Sequence, residues 1–298
     1  MPRQIAIIGA GGRMGVWFTN YFSSMDCKVS AYDRNESSIR HSQTAATTTA
    51  SASNAVVVAD TLEMCVKDAD FVLVCVPVGI TPETVRKCSV HMKHGSVIGE
   101  ISSVKQKTFS ALGNVRSDLS TLCLHPMFGP GAAGKRQQKM LLVPVRNERT
   151  ELNQARRLFA DMTLIVISSA REHDKAIGTV LGLTYFGNLV LASLLSAQNR
   201  QMLRQVSGTT FKLQSILAES IMADDPALIA ALIRDNPQAR KQIQRYVKVA
   251  QDTAGVLSGN KSSGLEAQVR RLKSRMQKQG DLEYSYRLLY AAVQAIDG

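Results

Sequence analysis

A histidine at position 125 stands between a hydrophobic run, Thr121-Leu122-Cys123-Leu124, and a loop of glycines and prolines, Pro126-Met127-Phe128-Gly129-Pro130-Gly131. Proline after it disfavours helical backbone at His125, so the imidazole belongs at the tip of an extended segment. An imidazole placed there can accept a proton near neutral pH. A second candidate cluster is Gly9-Ala10-Gly11-Gly12-Arg13-Met14-Gly15, where glycines allow a tight turn and close approach of the main chain to a pyrophosphate. Its register is imperfect: Gly9, Gly11 and Gly15 leave one residue too many, whereas Ala10, Gly12 and Gly15 have the right spacing with alanine first. A third candidate is Asp33, about 20 residues downstream, whose carboxylate can accept both hydroxyls of an adenosine ribose and would repel the 2′-phosphate of NADP. Together these residues favour NAD over NADP, with Arg34 next door able to soften the discrimination.

The surrounding pattern supplies elements to position them. Gln4–Ile8 reads as a strand and Val16–Ser24 as a helix, with the glycines between, and Lys28–Asp33 reads as the next strand. Phe71–Val76 is a continuous apolar run, as in a central parallel strand covered on both faces. It ends at Pro77, and the edge Pro77-Val78-Gly79 should face the cofactor. Thr81-Pro82-Glu83 then opens a helix, with Thr81 as its cap. Ser96–Ile101 is a further strand, followed by Ser102-Ser103-Val104-Lys105; a hydroxyl here either hydrogen-bonds His125 or caps the following helix. Leu141–Val145 and Leu164–Ile167 complete a sheet, with a helix over Glu151–Asp161. Ser42–Asn54, rich in Thr, Ser and Ala, reads as a loop or irregular helix. From Arg171 onward strand signals vanish, and helices are expected at Ala176–Ala197, Gln201–Met222, Ala227–Arg234, Pro237–Leu257 and Gly264–Ala295. The fold class is therefore an α/β Rossmann-like doubly wound sheet over residues 1–170, followed by an all-α domain over 171–298.

Composition excludes several other classes. Five cysteines without a C-x-x-C pair, mostly in apolar runs, read as buried thiols rather than a disulfide framework, and no metal site is expected. The net charge of +12 divides evenly between the two halves, and aromatics make up only 5%. That distribution suits attraction of a small anion better than a nucleic-acid face. The basic surface of Arg270, Arg271, Lys273 and Arg275 beside the stripe Val269, Leu272 and Met276 reads as a solvated helix face. The polar residues Thr184, Asn188, Ser193 and Ser196 argue that Ala176–Ala197 is a helix buried in a dimer core rather than a membrane span. The first residues lack the apolar run of a signal peptide, so a cytoplasmic location is expected.

Several of these motifs occur together in one known family. Ile8-Gly9-Ala10-Gly11-Gly12-Arg13-Met14-Gly15, Ser103-Val104-Lys105, His125-Pro126-Met127-Phe128-Gly129-Pro130 and Glu172-His173-Asp174 resemble the prephenate/arogenate dehydrogenase family of tyrosine biosynthesis over nearly the whole chain. The resemblance implies NAD-dependent oxidative decarboxylation of prephenate, or of arogenate, with a small anionic substrate and a homodimer built on the helical half. It implies that His125 accepts the proton of the substrate's ring hydroxyl, that Ser103 holds this histidine, and that Lys212 falls where a basic residue is common. The chain departs from the pattern at two places. Tyr185 stands twelve residues after His173, where many relatives have a second histidine, and Ser220 stands five residues before Asp225-Pro226, where relatives have a carboxylate-binding arginine. Lys212, Arg204 or Lys135 are candidates to replace that arginine. A dinucleotide-binding protein without catalysis is the reading from a different class.

Overall fold

The computed structural model describes residues 4–25, 27–35, 37, 39, 56–132, 138–257 and 263–297. The segment Ser42–Asn54 and Lys135 lie outside the described residues. The chain divides into two compact units between Ile177 and Gly178.

The first unit is built on β1 (Gln4–Ile8), β2 (Lys28–Tyr32), β3 (Val57–Val58), β4 (Phe71–Val74), β5 (Val97–Glu100), β6 (Ser120–Pro126), β7 (Lys139–Val143) and β8 (Thr163–Val166), in spatial order β3-β2-β1-β4-β5-β6-β7-β8. Among the described strands only the β6–β7 pair is antiparallel. The order of the first six strands is that of the dinucleotide-binding doubly wound sheet. Helices α1 (Arg13–Ser23), α2 (Leu62–Val66), α3 (Thr81–His91), α4 (Gln106–Gly113), α5 (Glu148–Leu158) and α6 (Ala170–Ile177) accompany the sheet. Side chains alternate out of the strands into two cores. One core gathers Ile5, Ile7, Leu73, Leu122 and Leu124 with Phe18, Phe22 and Phe159; the other gathers Ala6, Ile8, Val72, Val74, Ile98 and Cys123 with Val85, Cys88 and Leu112. Both faces of the central strands are thus covered, which accounts for the unbroken apolar run at 71–76.

Several local readings change. Thr81 does not cap α3; Ile80 holds that position, and the Thr81 hydroxyl donates back to the carbonyls of Val76 and Pro77. Within the first unit, Asp174 of α6 accepts the amide N–H of Lys105 at 2.8 Å and binds the helix to the sheet's loops. The five cysteines carry free thiols, four buried and Cys75 partly so.

The second unit is helical: a π-helical turn (Gly178–Leu183), α7 (Thr184–Ser196), α8 (Arg200–Gln205), α9 (Thr209–Met222), α10 (Pro226–Arg234), α11 (Pro237–Leu257), α12 (Ser263–Gln277) and α13 (Leu282–Asp297). The expected helix over 201–222 is two helices, because Gly208 takes the extended N-cap position of α9. The expected 264–295 helix is likewise broken after Gln277; Gly280 interrupts it and Asp281 Oδ1 accepts the amide N–H of Tyr284. Close packing at the π turn depends on Gly182, where an added Cβ would lie 2.4 Å from the Cβ of Ala239. Residues Ala170–Ser196 are long and apolar enough to cross a membrane by length and composition, with mean hydropathy 1.6 over an 18-residue window.

Candidate active site

The glycine turn joins β1 to α1. Gly9 has φ +85°, a conformation that L side chains rarely adopt, and a Cβ there would lie 2.6 Å from the carbonyl oxygen of Cys75. A Cβ on Gly15 would lie 2.0 Å from the carbonyl oxygen of Gly9, so α1 rests directly on the turn. Gly12 is the extended N-cap of α1 and has no side chain to cap it, leaving the first amides of the helix available to an anion. Arg13 is exposed beside it, and Met14 packs partly into the core. At the end of β2, Asp33 accepts the amide N–H of Gly11 at 3.0 Å through Oδ2 and that of Asn35 at 3.0 Å through Oδ1. Gly9, Gly12, Asp33, Arg34 and Pro77 share a cavity of about 700 Å³. A bare glycine turn, a helix N-terminus and a carboxylate on one cavity fit the pyrophosphate and adenosine ribose of a dinucleotide. Gly15→Ala should therefore damage this site: relieving a 2.0 Å clash with backbone requires α1 to move, at about 1–3 kcal/mol, and dinucleotide affinity should fall at least about tenfold. Calorimetric titration with NAD⁺ reads the loss, and an unchanged affinity would show that the cofactor lies elsewhere.

His125 is buried at the end of β6. Its Nδ1 lies 3.0 Å from Nε2 of His173, on α6, and Nδ1 of His173 lies 2.9 Å from Oδ1 of Asp174. Asp174 also accepts two amide N–H groups, from Lys105 on Oδ1 at 2.8 Å and from Gln106 on Oδ2 at 3.2 Å. This arrangement dictates the protons. A carboxylate facing N–H donors on both oxygens is an acceptor, so the His173 proton sits on Nδ1. Nε2 of His173 is then an acceptor and takes the Nδ1–H of His125. The lone pair of His125 is consequently on Nε2. Burial first, then the Lys105 ammonium and His173, hold the pKa of His125 well below the usual histidine value. Burial likewise lowers that of His173, against the opposing effect of Asp174. The site thus contains a neutral, oriented imidazole.

An ion pair adjoins it. Lys105 is fully buried, and its Nζ donates to Glu100 Oε1 at 2.6 Å and to the carbonyl of Leu124. The other oxygen of Glu100 accepts the amide and hydroxyl of Ser102, at 2.7 and 2.6 Å. Beyond His125, Phe128 packs against Trp17 of α1 with ring centroids 4.7 Å apart, and Trp17 Nε1 donates to the carbonyl of Ala132 at 3.4 Å. The loop after the histidine is thereby fastened to the helix of the glycine turn.

The sequence anticipated His125, the glycines and Asp33 as candidates, and the structure brings Gly9, Gly12, Asp33 and Pro77 to one cavity. Ser103, expected to hold His125, makes no hydrogen bond to it among the described residues; His173 occupies that role, and the half-buried Ser103 sits in the loop before α4. Glu100, Lys105, His173 and Asp174 had no role assigned from sequence. A signal existed for two of them, since a carboxylate inside the strand Ile98-Gly99-Glu100-Ile101 requires a buried partner. In the second unit, the Tyr185 hydroxyl donates to Asp224 Oδ2 at 2.8 Å. Lys212 is half-buried in the first turn of α9. Ser220 is exposed, its hydroxyl returned to the carbonyl of Leu217, and the guanidinium of Arg204 pairs with Glu219 at 3.4 Å.

Fold and site define a nucleotide-binding α/β unit joined to a helical unit, with a buried histidine at a strand end. The chain belongs to the prephenate dehydrogenase family: residues 24–167 match the model of that family's nucleotide-binding domain, and residues 169–273 that of its dimerization domain. A probable arogenate/prephenate dehydrogenase of Methanocaldococcus jannaschii is 22% identical over 266 residues, covering 87% of this chain and 58% of the relative. The chain spans about three fifths of the length of the curated relatives it matches. Among solved structures, prephenate dehydrogenase from Aquifex aeolicus, in complex with hydroxyphenyl propionate and NAD⁺, superposes with a TM-score of 0.71 at 20% identity, covering 93% of this chain and 98% of that one. The arogenate dehydrogenase of Synechocystis gives 0.64 at 15% identity, covering 93% and 100%. These likenesses establish the fold.

Proposed function

We propose that this protein is an NAD-dependent dehydrogenase that converts prephenate to 4-hydroxyphenylpyruvate. The observation that carries the reading is the His125–His173–Asp174 chain, which leaves a basic Nε2 at the end of β6 in a nucleotide-binding unit. NAD⁺ supplies the acceptor for the hydride that leaves C4 of the ring. His125 Nε2 accepts the proton of the hydroxyl on that carbon and returns it to the ring oxygen once the ring carboxylate has departed as CO2 and the bonding pair has made the ring aromatic. Orientation in a dry site supplies much of the acceleration, and a positioned base adds about 10²–10⁴-fold. Asp33 favours NAD over NADP by binding the ribose hydroxyls.

Lys212 and Tyr185 are proposed as substrate contacts in the second unit, and the apolar side chains that α7 leaves exposed, such as Val190 and Leu194, are proposed to be covered by a second copy of the chain. Tyr185 and Ser220, where the family resemblance implies a histidine and an arginine, motivate arogenate as the second reading. Product analysis separates the two: incubation with NAD⁺ and prephenate should yield 4-hydroxyphenylpyruvate and CO2, and tyrosine from arogenate alone would move the substrate while keeping the chemistry.

Acid should weaken both stability and turnover. The two histidines are held neutral in the folded chain, with pKa values below the unfolded value of about 6.5, so the unfolded state binds more protons as pH falls through that value. Their contribution is fully present above about pH 6.5 and is lost toward the lower folded values. Melting temperature should therefore decline below about pH 6.5, and His125→Asn should make the decline shallower. An identical slope in the variant would mean that His125 is not held neutral.

A further inference from the structure

We propose that Lys105 is a positioning residue for the base, tying His125 and its His173–Asp174 support to one fixed point; the proposal rests on the assignment of His125 as base. Three contacts made by this single residue carry it. The Nζ donates to the carbonyl of Leu124, the residue immediately before His125 on β6. The same Nζ is anchored 2.6 Å from Glu100 Oε1 on the neighbouring strand β5. The amide N–H of Lys105 donates to Asp174 Oδ1, the atom that also receives the His173 Nδ1–H. Side chain and main chain of one residue therefore grip both ends of the relay.

A lysine and a glutamate with no exposed surface are costly merely to pack, because both ions lose their hydration. An apolar pair of similar volume would fill the space at least as well. What such a pair would not do is reach the Leu124 carbonyl or place a positive charge beside the imidazole. The charged and titratable groups acting on His125 are Lys105 and His173, and those acting on His173 are Asp174, Lys105 and Glu100. With Lys105 present, His125 stays neutral until substrate arrives with its hydroxyl proton.

The test uses Lys105→Met and the double variant E100Q/K105M, the second because the single one leaves a buried carboxylate without its partner. Proton–nitrogen NMR of the histidine rings in the ligand-free protein reads the tautomer and titration of His125, and steady-state kinetics reads kcat across pH. The double variant is expected to keep its fold and its affinity for NAD⁺. Its His125 should titrate at higher pH, the acid limb of kcat should move up with it, and kcat should fall between about tenfold and a hundredfold, as for a displaced catalytic group. An E100Q/K105M protein with the wild-type His125 titration and a kcat within about twofold of wild type would overturn the proposal, reducing Lys105 to the counter-ion of Glu100. Because the ring titration is read without substrate, a failure of the base assignment is told apart: in that case the NMR changes appear while kcat in the variants, and in His125→Asn, stays at the wild-type value.

Discussion

Replacing His125 by asparagine is expected to lower kcat by about 10²–10⁴-fold while NAD⁺ affinity stays within about twofold. The separation follows from placement. His125 lies at the end of β6, whereas the cavity lined by Gly9, Gly12, Asp33 and Pro77 is built on β1, β2 and the segment after β4. Asparagine retains a polar group to face His173, so the relay behind it is not left with a buried vacancy. What disappears is a basic nitrogen at the position of Nε2. Stopped-flow measurement of a single turnover, with NAD⁺ binding followed separately by quenching of Trp17, the one tryptophan, distinguishes loss of chemistry from loss of binding. A variant that turned over at the wild-type rate would remove His125 from the mechanism.

The second large effect is expected at Asp174. Truncation to alanine withdraws the acceptor from three N–H donors at once: the amides of Lys105 and Gln106 and Nδ1 of His173. Each buried donor left unpaired costs about 1–3 kcal/mol, and the part-buried amide of Gln106 less, so a loss of roughly 3–5 kcal/mol is expected. Against the 5–15 kcal/mol that is usual for a folded domain this is severe, and for a unit of this size melting should fall by on the order of 10 °C. Activity should fall further than stability explains. Without the carboxylate, His173 is free to hold its proton on Nε2 and donate to His125 Nδ1, which would place the His125 proton on Nε2 and abolish the base. A tautomer error of this kind costs a comparable histidine up to about 10⁴-fold in turnover. Scanning calorimetry together with kcat at a temperature where the variant is folded checks both parts. Melting within about 2 °C of wild type, with normal kcat, would mean that the chain of hydrogen bonds has no bearing on the base.

The sequence was most legible where backbone geometry constrains residue type. Gly9, with its positive φ, and Gly15, with no room for a Cβ, are positions where only glycine serves, and their spacing before Asp33 announced a nucleotide-binding unit. The continuous apolar run at 71–76 announced a strand covered on both sides. Relations between distant side chains were not legible. His173 and Asp174 are 48 and 49 positions from His125, and nothing in their local pattern says that α6 brings them to β6. Ser103 lies near the base along the chain's topology and was the natural partner to expect, but the loop turns the amides of Lys105 and Gln106, not the Ser103 hydroxyl, toward the relay. Helix ends failed for a related reason: Gly208 and Gly280 break apolar periods that continue through them, and periodicity alone does not register a cap.

The most direct test of the central claim is the initial rate of NADH formation, followed by absorbance, when the purified protein meets NAD⁺ and prephenate, with arogenate and NADP⁺ in parallel reactions. The account predicts one NADH for each 4-hydroxyphenylpyruvate formed, a rate that depends on His125, and a weaker response to NADP⁺. A protein that binds NAD⁺ yet forms no NADH from prephenate or arogenate would contradict it.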